Sequence, residues 1–89
     1  MSVTMEVHNY RIDADESHKT FVAEKECVSV ELPATLVKSE PITIYNKTEA
    51  NKVIVYYLCD GVKKDVAELN VDTSLIFHPN VLDGAWETI

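Results

Sequence analysis

The stretch Val53–Val66, with the sequence VIVYYLCDGVKKDV, decides the fold. Six consecutive apolar residues lead through Cys59 into Asp60-Gly61, and a second β-prone segment follows. An Asp-Gly pair between two such segments predicts a β-hairpin, because a type I′ turn needs a positive φ at both central residues. The apolar run is too short to span a membrane and too rich in β-branched and aromatic residues for a helix. Residues 62–69 form either the second strand or a helical turn, and the Asp-Gly turn favours the strand.

Both sides of the first strand in this hairpin are apolar. The period-two alternation gives one side Val53, Val55 and Tyr57, and the other Ile54, Tyr56 and Leu58. An antiparallel strand in a two-layer protein normally presents one polar side to water, so the second apolar side needs a cover. The candidates are Leu36 and Val37, the N-terminal strand through Tyr10 and Ile12, or a second subunit.

The second apolar side is the candidate functional site. We hypothesise that Ile54, Tyr56 and Leu58 lie at a protein–protein interface, where tyrosines are enriched, with Tyr56 as the principal contact. On this hypothesis, Tyr56→Ser weakens the contact and leaves the fold intact.

The remaining segments also alternate with period two and predict about seven strands. The alternation slips after His8, which indicates a bulge or bend at His8-Asn9. Residues 20–32 form one strand or two that are broken at residues 24–26, with Cys27 facing outward. The turn at residues 46–51 contains Asn and Thr side chains that can bond the local backbone. We expect most of the core to come from Val28, Val30, Leu32, Ile42, Ile44, Val55, Tyr57, Phe77 and Trp86.

These segments predict an all-β protein, with residues 1–89 as one domain. The class is a small antiparallel β-sandwich of immunoglobulin-like type, and a small partly open β-barrel is the alternative. A chain of 89 residues buries about 60–65% of its unfolded surface, so the core is sufficient but thin.

Charge and cysteine content exclude several functions. The net charge is −7, and the eight Lys and Arg residues are dispersed, which argues against direct nucleic-acid binding and against an anionic membrane. No signal peptide or transmembrane segment is visible, so the expected location is a virion if the protein is viral, and otherwise the cytoplasm. Cys27 and Cys59 are expected to be unpaired thiols.

The sequence contains no catalytic or metal-binding signature. His8, His18 and His78 are not at zinc-ligand spacing, and the acidic residues 13–16 lack the glycine and the distal glutamate of a calcium loop. Asn46-Lys47-Thr48 matches the glycosylation pattern and is interpreted as a polar surface turn. We therefore expect a protein that is not an enzyme and that needs no cofactor.

The C-terminal half has a recognisable pattern. Residues 41–48 (PITIYNKT) end in a polar turn and are followed by the apolar strand 53–58, then by a hairpin, by the apolar strand 75–77 and by Gly84 before a last strand. This arrangement resembles small immunoglobulin-like β-sandwich proteins of tailed-phage virions. The resemblance implies a structural protein that decorates or joins capsid or tail proteins, as a homo-oligomer.

A different function is compatible with the acidic composition. Glu24, Glu26 and Glu31 lie along one strand region, and small acidic proteins can inhibit nucleic-acid-binding enzymes by mimicking DNA. Lys25 interrupts this row, and dispersed negative charge also keeps a protein soluble. An inhibitor of a host nucleic-acid-binding enzyme is therefore the alternative function.

Overall fold

The computed structural model describes residues 2–33 and 40–88, and every regular element within those ranges is a β-strand. The nine strands are β1 (Ser2–Met5), β2 (Asn9–Arg11), β3 (Thr20–Ala23), β4 (Ser29–Glu31), β5 (Ile42–Asn46), β6 (Val53–Cys59), β7 (Val62–Leu69), β8 (Ser74–Asn80) and β9 (Ala85–Thr88). They form a five-stranded sheet, in the order β1-β3-β5-β8-β9, and a four-stranded sheet, in the order β2-β4-β6-β7.

The first six strands alternate between the two sheets. β1, β3 and β5 pair in parallel in the five-stranded sheet, while β2, β4 and β6 pair in parallel in the four-stranded sheet. Ser2 therefore lies beside Thr20, which lies beside Thr43. Three successive passes of the chain stack on one another, as in a short β-solenoid. The last three strands, β7, β8 and β9, each pair antiparallel with a neighbour.

The predicted all-β, two-sheet architecture is confirmed, but its details differ from the prediction. The described residues form nine strands rather than about seven, and both sheets are mixed rather than antiparallel. The reason is that consecutive strands enter opposite sheets, so neighbours within a sheet are every second strand and run in the same direction. The strands form two separate sheets, and the immunoglobulin-like class is not confirmed by this topology.

Four local predictions are confirmed. The chain bends at residues 7–8, where it crosses between sheets, and the segment 20–32 is broken into β3 and β4 at Lys25, whose φ is 56°. Asp60 and Gly61 have φ values of 52° and 79°, as a type I′ turn requires. Residues 62–69 are a strand and not a helical turn.

The core lies between the inward sides of the two sheets. Seven of the nine predicted core residues are buried: Val30, Leu32, Ile42, Ile44, Val55, Phe77 and Trp86. Val28 and Tyr57 are partly buried. The predicted list omitted further buried residues, which include Met5, Ile12, Phe21, Ala23, Cys27, Val53 and Leu69. The outward placement of Cys27 was wrong, because β4 begins only at Ser29 and its alternation does not extend back to residue 27.

A β-bulge interrupts the pairing of β6 with β7. Val55 lies opposite Ala67 and Tyr56 opposite Asp65, so Val66 is the extra residue of β7. The bulge allows Val66 to pack against the core and still places Asp65 and Lys63 on the outward side, opposite Tyr56 and Leu58. The surroundings of the candidate site therefore depend on this irregularity.

Within the described ranges, no helix has the length and apolar character needed to cross a membrane.

Candidate interaction faces

The three residues of the predicted interface lie on the outward side of β6. The inward side of this strand packs against the core through Val53, Val55 and Tyr57, and the period-two geometry turns Ile54, Tyr56 and Leu58 away from it. Leu58 has an exposed fraction of 37%, whereas Tyr56 has only 8%. The three side chains therefore share a face as predicted, but Tyr56, the expected principal contact, is covered.

Polar side chains of neighbouring strands cover Tyr56. Its hydroxyl lies 3.3 Å from Asn9 Oδ1 and 3.3 Å from Glu31 Oε1, and it can donate to either. Lys63 Nζ lies 4.6 Å from the centre of the tyrosine ring, which is a cation–π contact. Asp65 is its register partner on β7. The chain itself thus supplies a cover for Tyr56, made of long polar side chains rather than apolar ones.

The sequence suggested three covers for the outward side of β6, and the structure bears on them differently. Tyr10 and Ile12 turn inward instead, since Ile12 is buried and the Tyr10 ring packs 6.2 Å from that of Phe21. Burial, with the nearby carboxylates of Glu16 and Asp13, raises the pKa of Tyr10. Leu36 and Val37 lie outside the described residues. A second subunit stays a prediction.

The outward side of the four-stranded sheet is rich in charge, and we name it the charged face. Its residues are Asn9, Arg11, Ser29, Glu31, Ile54, Tyr56, Leu58, Lys63, Asp65 and Glu68. Arg11 Nε lies 3.4 Å from Glu31 Oε2, and Lys63 Nζ lies 3.9 Å from Asp65 Oδ1. A partner that docked here would have to remove these groups from water, which costs free energy unless each charge is paired again.

The outward side of the five-stranded sheet is different. Eight outward positions, in two adjacent rows across β1, β3, β5 and β8, carry no charge, and we name them the uncharged face. They form two rows across the strands: Ser2, Thr20, Thr43 and Ile76, and then Thr4, Val22, Tyr45 and Ser74. Tyr45 is 37% exposed and Ile76 is 43% exposed. This face was missed at the sequence level, although the uncharged alternate positions of these four strands are a signal that could have found it.

Ionisable residues border the uncharged face at both ends. Lys47 Nζ lies 3.8 Å from Asp72 Oδ1 next to the row that contains Tyr45. His78 and Glu87 are register partners on β8 and β9, next to the row that contains Ile76. Protein–protein interfaces share two of these features, a centre depleted of charge and a polar rim, and the exposed tyrosine is a residue type enriched in them.

The sheets also differ at their edges. β1 and β9 are the edges of the five-stranded sheet, and β2 and β7 are those of the four-stranded sheet. β7 carries Lys63, Lys64, Asp65 and Glu68, whereas β1 carries no charged residue. Charged residues, lysine above all, protect an edge strand from pairing with another chain, so β1 is the less protected of these two edges.

The turn between β5 and β6 is held by buried polar side chains. Asn46 Nδ2 donates to Asn51 O at 2.7 Å and to Leu69 O at 2.9 Å, while Asn46 Oδ1 accepts from the backbone and the hydroxyl of Thr48. The predicted bonding of Asn and Thr to local backbone is confirmed. The interpretation of Asn46 as a surface residue was wrong: its exposed fraction is 0%, so glycosylation would require this turn to open.

The acidic residues do not form a continuous row. Glu31 is paired with Arg11. Lys25 stands between Glu24 and Glu26 in the chain, and its Nζ lies 2.7 Å from Glu6 Oε2. The hydrogen bond and charge of Glu6 raise the pKa of Lys25. A DNA mimic needs an ordered row of carboxylates. Lys25 places a positive charge between Glu24 and Glu26 and so interrupts such a row.

Cysteine and histidine side chains are dispersed. The Cys27 thiol is free and buried, and burial raises its pKa; Cys59 is free and partly exposed. His18 Nδ1 lies 2.8 Å from Glu16 Oε1, and this hydrogen bond lowers the pKa of Glu16. Within the described residues, no three side chains of His, Cys, Asp or Glu come together as a metal site would require.

No family model, no curated protein and no solved structure matches this chain.

Proposed function

We propose that the protein is a non-enzymatic interaction domain that assembles with further copies of itself through the uncharged face. The observation that carries the proposal is the absence of charge from two adjacent rows of outward residues across β1, β3, β5 and β8, eight residues in a chain with a net charge of −7. The face adds two exposed apolar anchors, Tyr45 and Ile76.

The charge of the chain supports a second copy as the occupant of this face. Two copies that each carry −7 repel one another, and like charges placed directly opposite destabilise a contact further. On the uncharged face, two identical surfaces can meet without opposing charges. Hydroxyl groups of serine and threonine can hydrogen-bond across such a contact, while Tyr45 and Ile76 lose apolar surface to water.

The size of the molecule is compatible with such a contact. Its principal extents are 36 × 27 × 22 Å. A standard stable interface buries about 800 Å² on each partner, which is the scale of one broad face of a molecule with these dimensions.

The charged face is the weaker candidate for the self-association surface, although it contains the interface residues predicted from the sequence. Tyr56 is largely covered by its own chain, which leaves Leu58 and part of Ile54 as its available apolar surface. Ion pairs such as Arg11–Glu31 and Lys63–Asp65 flank this surface and would lose water on docking. An interface at Ile54, Tyr56 and Leu58 stays a prediction, and the experiment below separates the two faces.

A virion setting and the immunoglobulin-like class belong to the same proposal. The sequence resemblance of residues 40–89 to phage sandwich proteins supports a component that decorates or joins capsid or tail proteins. The two separate sheets support the fold class, and the parallel pairs depart from its antiparallel sheets. The alternative, an acidic inhibitor, receives less support from the interrupted acidic row around Lys25.

A matched pair of variants tests the proposal, because Tyr45 and Leu58 have the same exposed fraction, 37%, on opposite faces. Sedimentation of the wild type over a wide concentration range should show an oligomer. Tyr45→Lys places a positive charge in the uncharged face and should weaken association about tenfold or more, whereas Leu58→Lys should leave it unchanged.

Two outcomes would contradict the proposal. A wild type that is monomeric at every accessible concentration excludes self-association. An oligomer that Leu58→Lys dissociates and Tyr45→Lys does not would place the interface on the charged face, as the sequence predicted. Circular dichroism of both variants controls for unfolding.

A further inference from the structure

β1 has one free edge. Among the described strands it pairs only with β3, in parallel, from Ser2 beside Thr20 to Met5 beside Ala23. Met5 O accepts a hydrogen bond from Glu24 N at 3.0 Å, so the backbone groups of Met5 point towards β3. Because successive residues of a strand point their backbone groups to opposite sides, the N–H and C=O of Thr4 point to the free edge.

The side chains of this edge favour pairing with another strand. Ser2, Val3, Thr4 and Met5 include two β-branched residues, no proline and no charge. The nearest acidic residue along the chain, Glu6, is paired with Lys25 at 2.7 Å. Within the described residues, β1 thus has neither a charge nor a proline against edge-to-edge pairing, and its short length of four residues is the protective feature that it does have.

We propose that β1 pairs antiparallel with β1 of a second copy, so that the two five-stranded sheets join into one continuous sheet. This edge contact extends the proposed self-assembly. It rests on that proposal in one respect, namely that the strand that pairs with β1 again belongs to a copy of the same chain. The twofold axis can pass beside Val3 or beside Thr4. In both cases, side chains that lie opposite each other across the two β1 strands point to the same side of the sheet.

Both registers are self-complementary. With the axis at Thr4, Val3 of one copy lies opposite Met5 of the other and the two Thr4 hydroxyls face each other. With the axis at Val3, the two valines meet and Ser2 lies opposite Thr4. Apolar side chains thus meet apolar ones on the core side, and hydroxyl groups meet on the outward side. The uncharged face then continues across both copies.

The edge contact and the face contact together determine the size of the assembly. Each is a twofold contact that closes on its own into a dimer. Two different twofold contacts on one chain close into a dihedral assembly, such as a D2 tetramer, where their axes intersect, and otherwise alternate into an open-ended array. The wild type should therefore exceed a dimer as concentration rises.

Thr4→Pro tests the edge contact. Proline removes the N–H that points to the free edge and leaves the hydrogen bonds of Met5 to the neighbouring strand in place, and edge strands tolerate it. Thr4→Val is the matched control, because it keeps the N–H and the β-branched shape. Sedimentation should show that Thr4→Pro stops at a dimer, that Thr4→Val assembles like the wild type, and that Thr4→Pro combined with Tyr45→Lys is a monomer.

The outcomes separate the two contacts. An assembly that Thr4→Pro leaves unchanged in size overturns the edge contact and leaves the face contact standing. An assembly that Thr4→Pro alone reduces to a monomer, with Tyr45→Lys unchanged, supports the edge and overturns the face. A wild type that stays monomeric at all concentrations overturns both.

A measurement on the wild type avoids the risk that proline unfolds β1. Amide hydrogen exchange of Thr4 should slow about tenfold or more as the protein becomes concentrated, because the edge N–H gains a partner. Exchange at Thr4 that does not change while the assembly grows contradicts the edge contact.

Discussion

Tyr45 and Tyr56 occupy comparable positions and have different surroundings. Each points outward from a central strand, Tyr45 on β5 and Tyr56 on β6. Tyr45 is 37% exposed and Tyr56 is 8% exposed. Val22 and Ser74 flank Tyr45 and are short, whereas Glu31 and Asp65 flank Tyr56 and Lys63 extends over its ring. The exposure of an outward tyrosine thus depends on the length and charge of its cross-strand neighbours.

This difference separates two ways to manage an apolar residue on a sheet. On the charged face, long polar side chains lie over the aromatic ring and keep the surface in contact with water. On the uncharged face, short side chains leave the ring accessible, which is useful only if something binds there. The contrast between the two faces therefore has a functional interpretation, which three pairs of substitutions test.

The largest expected effect compares the inward and outward sides of β8. Phe77 is 0% exposed and its neighbour Ile76 is 43% exposed. Phe77→Ala removes a buried ring and leaves a cavity, so it should lower the free energy of unfolding by about 3–5 kcal/mol. Ile76→Ala should change it by less than about 0.5 kcal/mol when measured on dilute protein. Denaturant unfolding gives both values, and equal effects would show that the register of β8 is misassigned.

The next effect compares the two tyrosines. Tyr56→Ser removes a ring that Lys63 covers and a hydroxyl close to Asn9 and Glu31, so it should cost about 1–3 kcal/mol of stability. Tyr45→Ser should cost less than about 0.5 kcal/mol and should weaken self-association instead. The prediction for Tyr56→Ser differs from the one made from sequence, which left the fold intact. A stable Tyr56→Ser variant with reduced association would restore the sequence-based hypothesis.

The sequence predicted local features well, because they depend on residues that are close in the chain. Asp60-Gly61 selects its turn through two adjacent φ angles, and the alternation of Val53 and Val55 identifies an inward side without knowledge of the partner strands. The phase slip after His8 indicated the bend that the structure has at residues 7–8, and a break at residues 24–26 was one of the two alternatives for that segment.

The pairing of strands could not be predicted in the same way. Thr20 lies beside Thr43 because two separate passes of the chain stack, and no short-range pattern encodes a parallel contact between strands that are not consecutive. The cover over Tyr56 likewise requires β2, β4 and β7 to be in register. The sequence placed Asn46 in an exposed turn, because its second acceptor, Leu69 O, is 23 residues away in the chain.

The smallest expected effect concerns Lys63 itself. Its ammonium group lies over the Tyr56 ring and 3.9 Å from Asp65, but its side chain is 52% exposed, so water and salt screen both interactions. Lys63→Met keeps most of the stem that covers the ring and removes the charge. It should lower the free energy of unfolding by about 0.5–1 kcal/mol at low salt and by less at high salt.

Lys64→Met is the matched control for this variant. Lys64 is the next residue on β7, lies opposite Tyr57 in the register, and is also exposed. Lys64→Met removes the same unit of positive charge from the same strand as Lys63→Met. The control variant therefore accounts for the general electrostatic cost of making an acidic protein more acidic. Only the difference between the two variants measures the contact with Tyr56. If both variants lose the same stability, the charge of Lys63 contributes nothing specific to the cover, and the packing of its stem alone keeps Tyr56 from water.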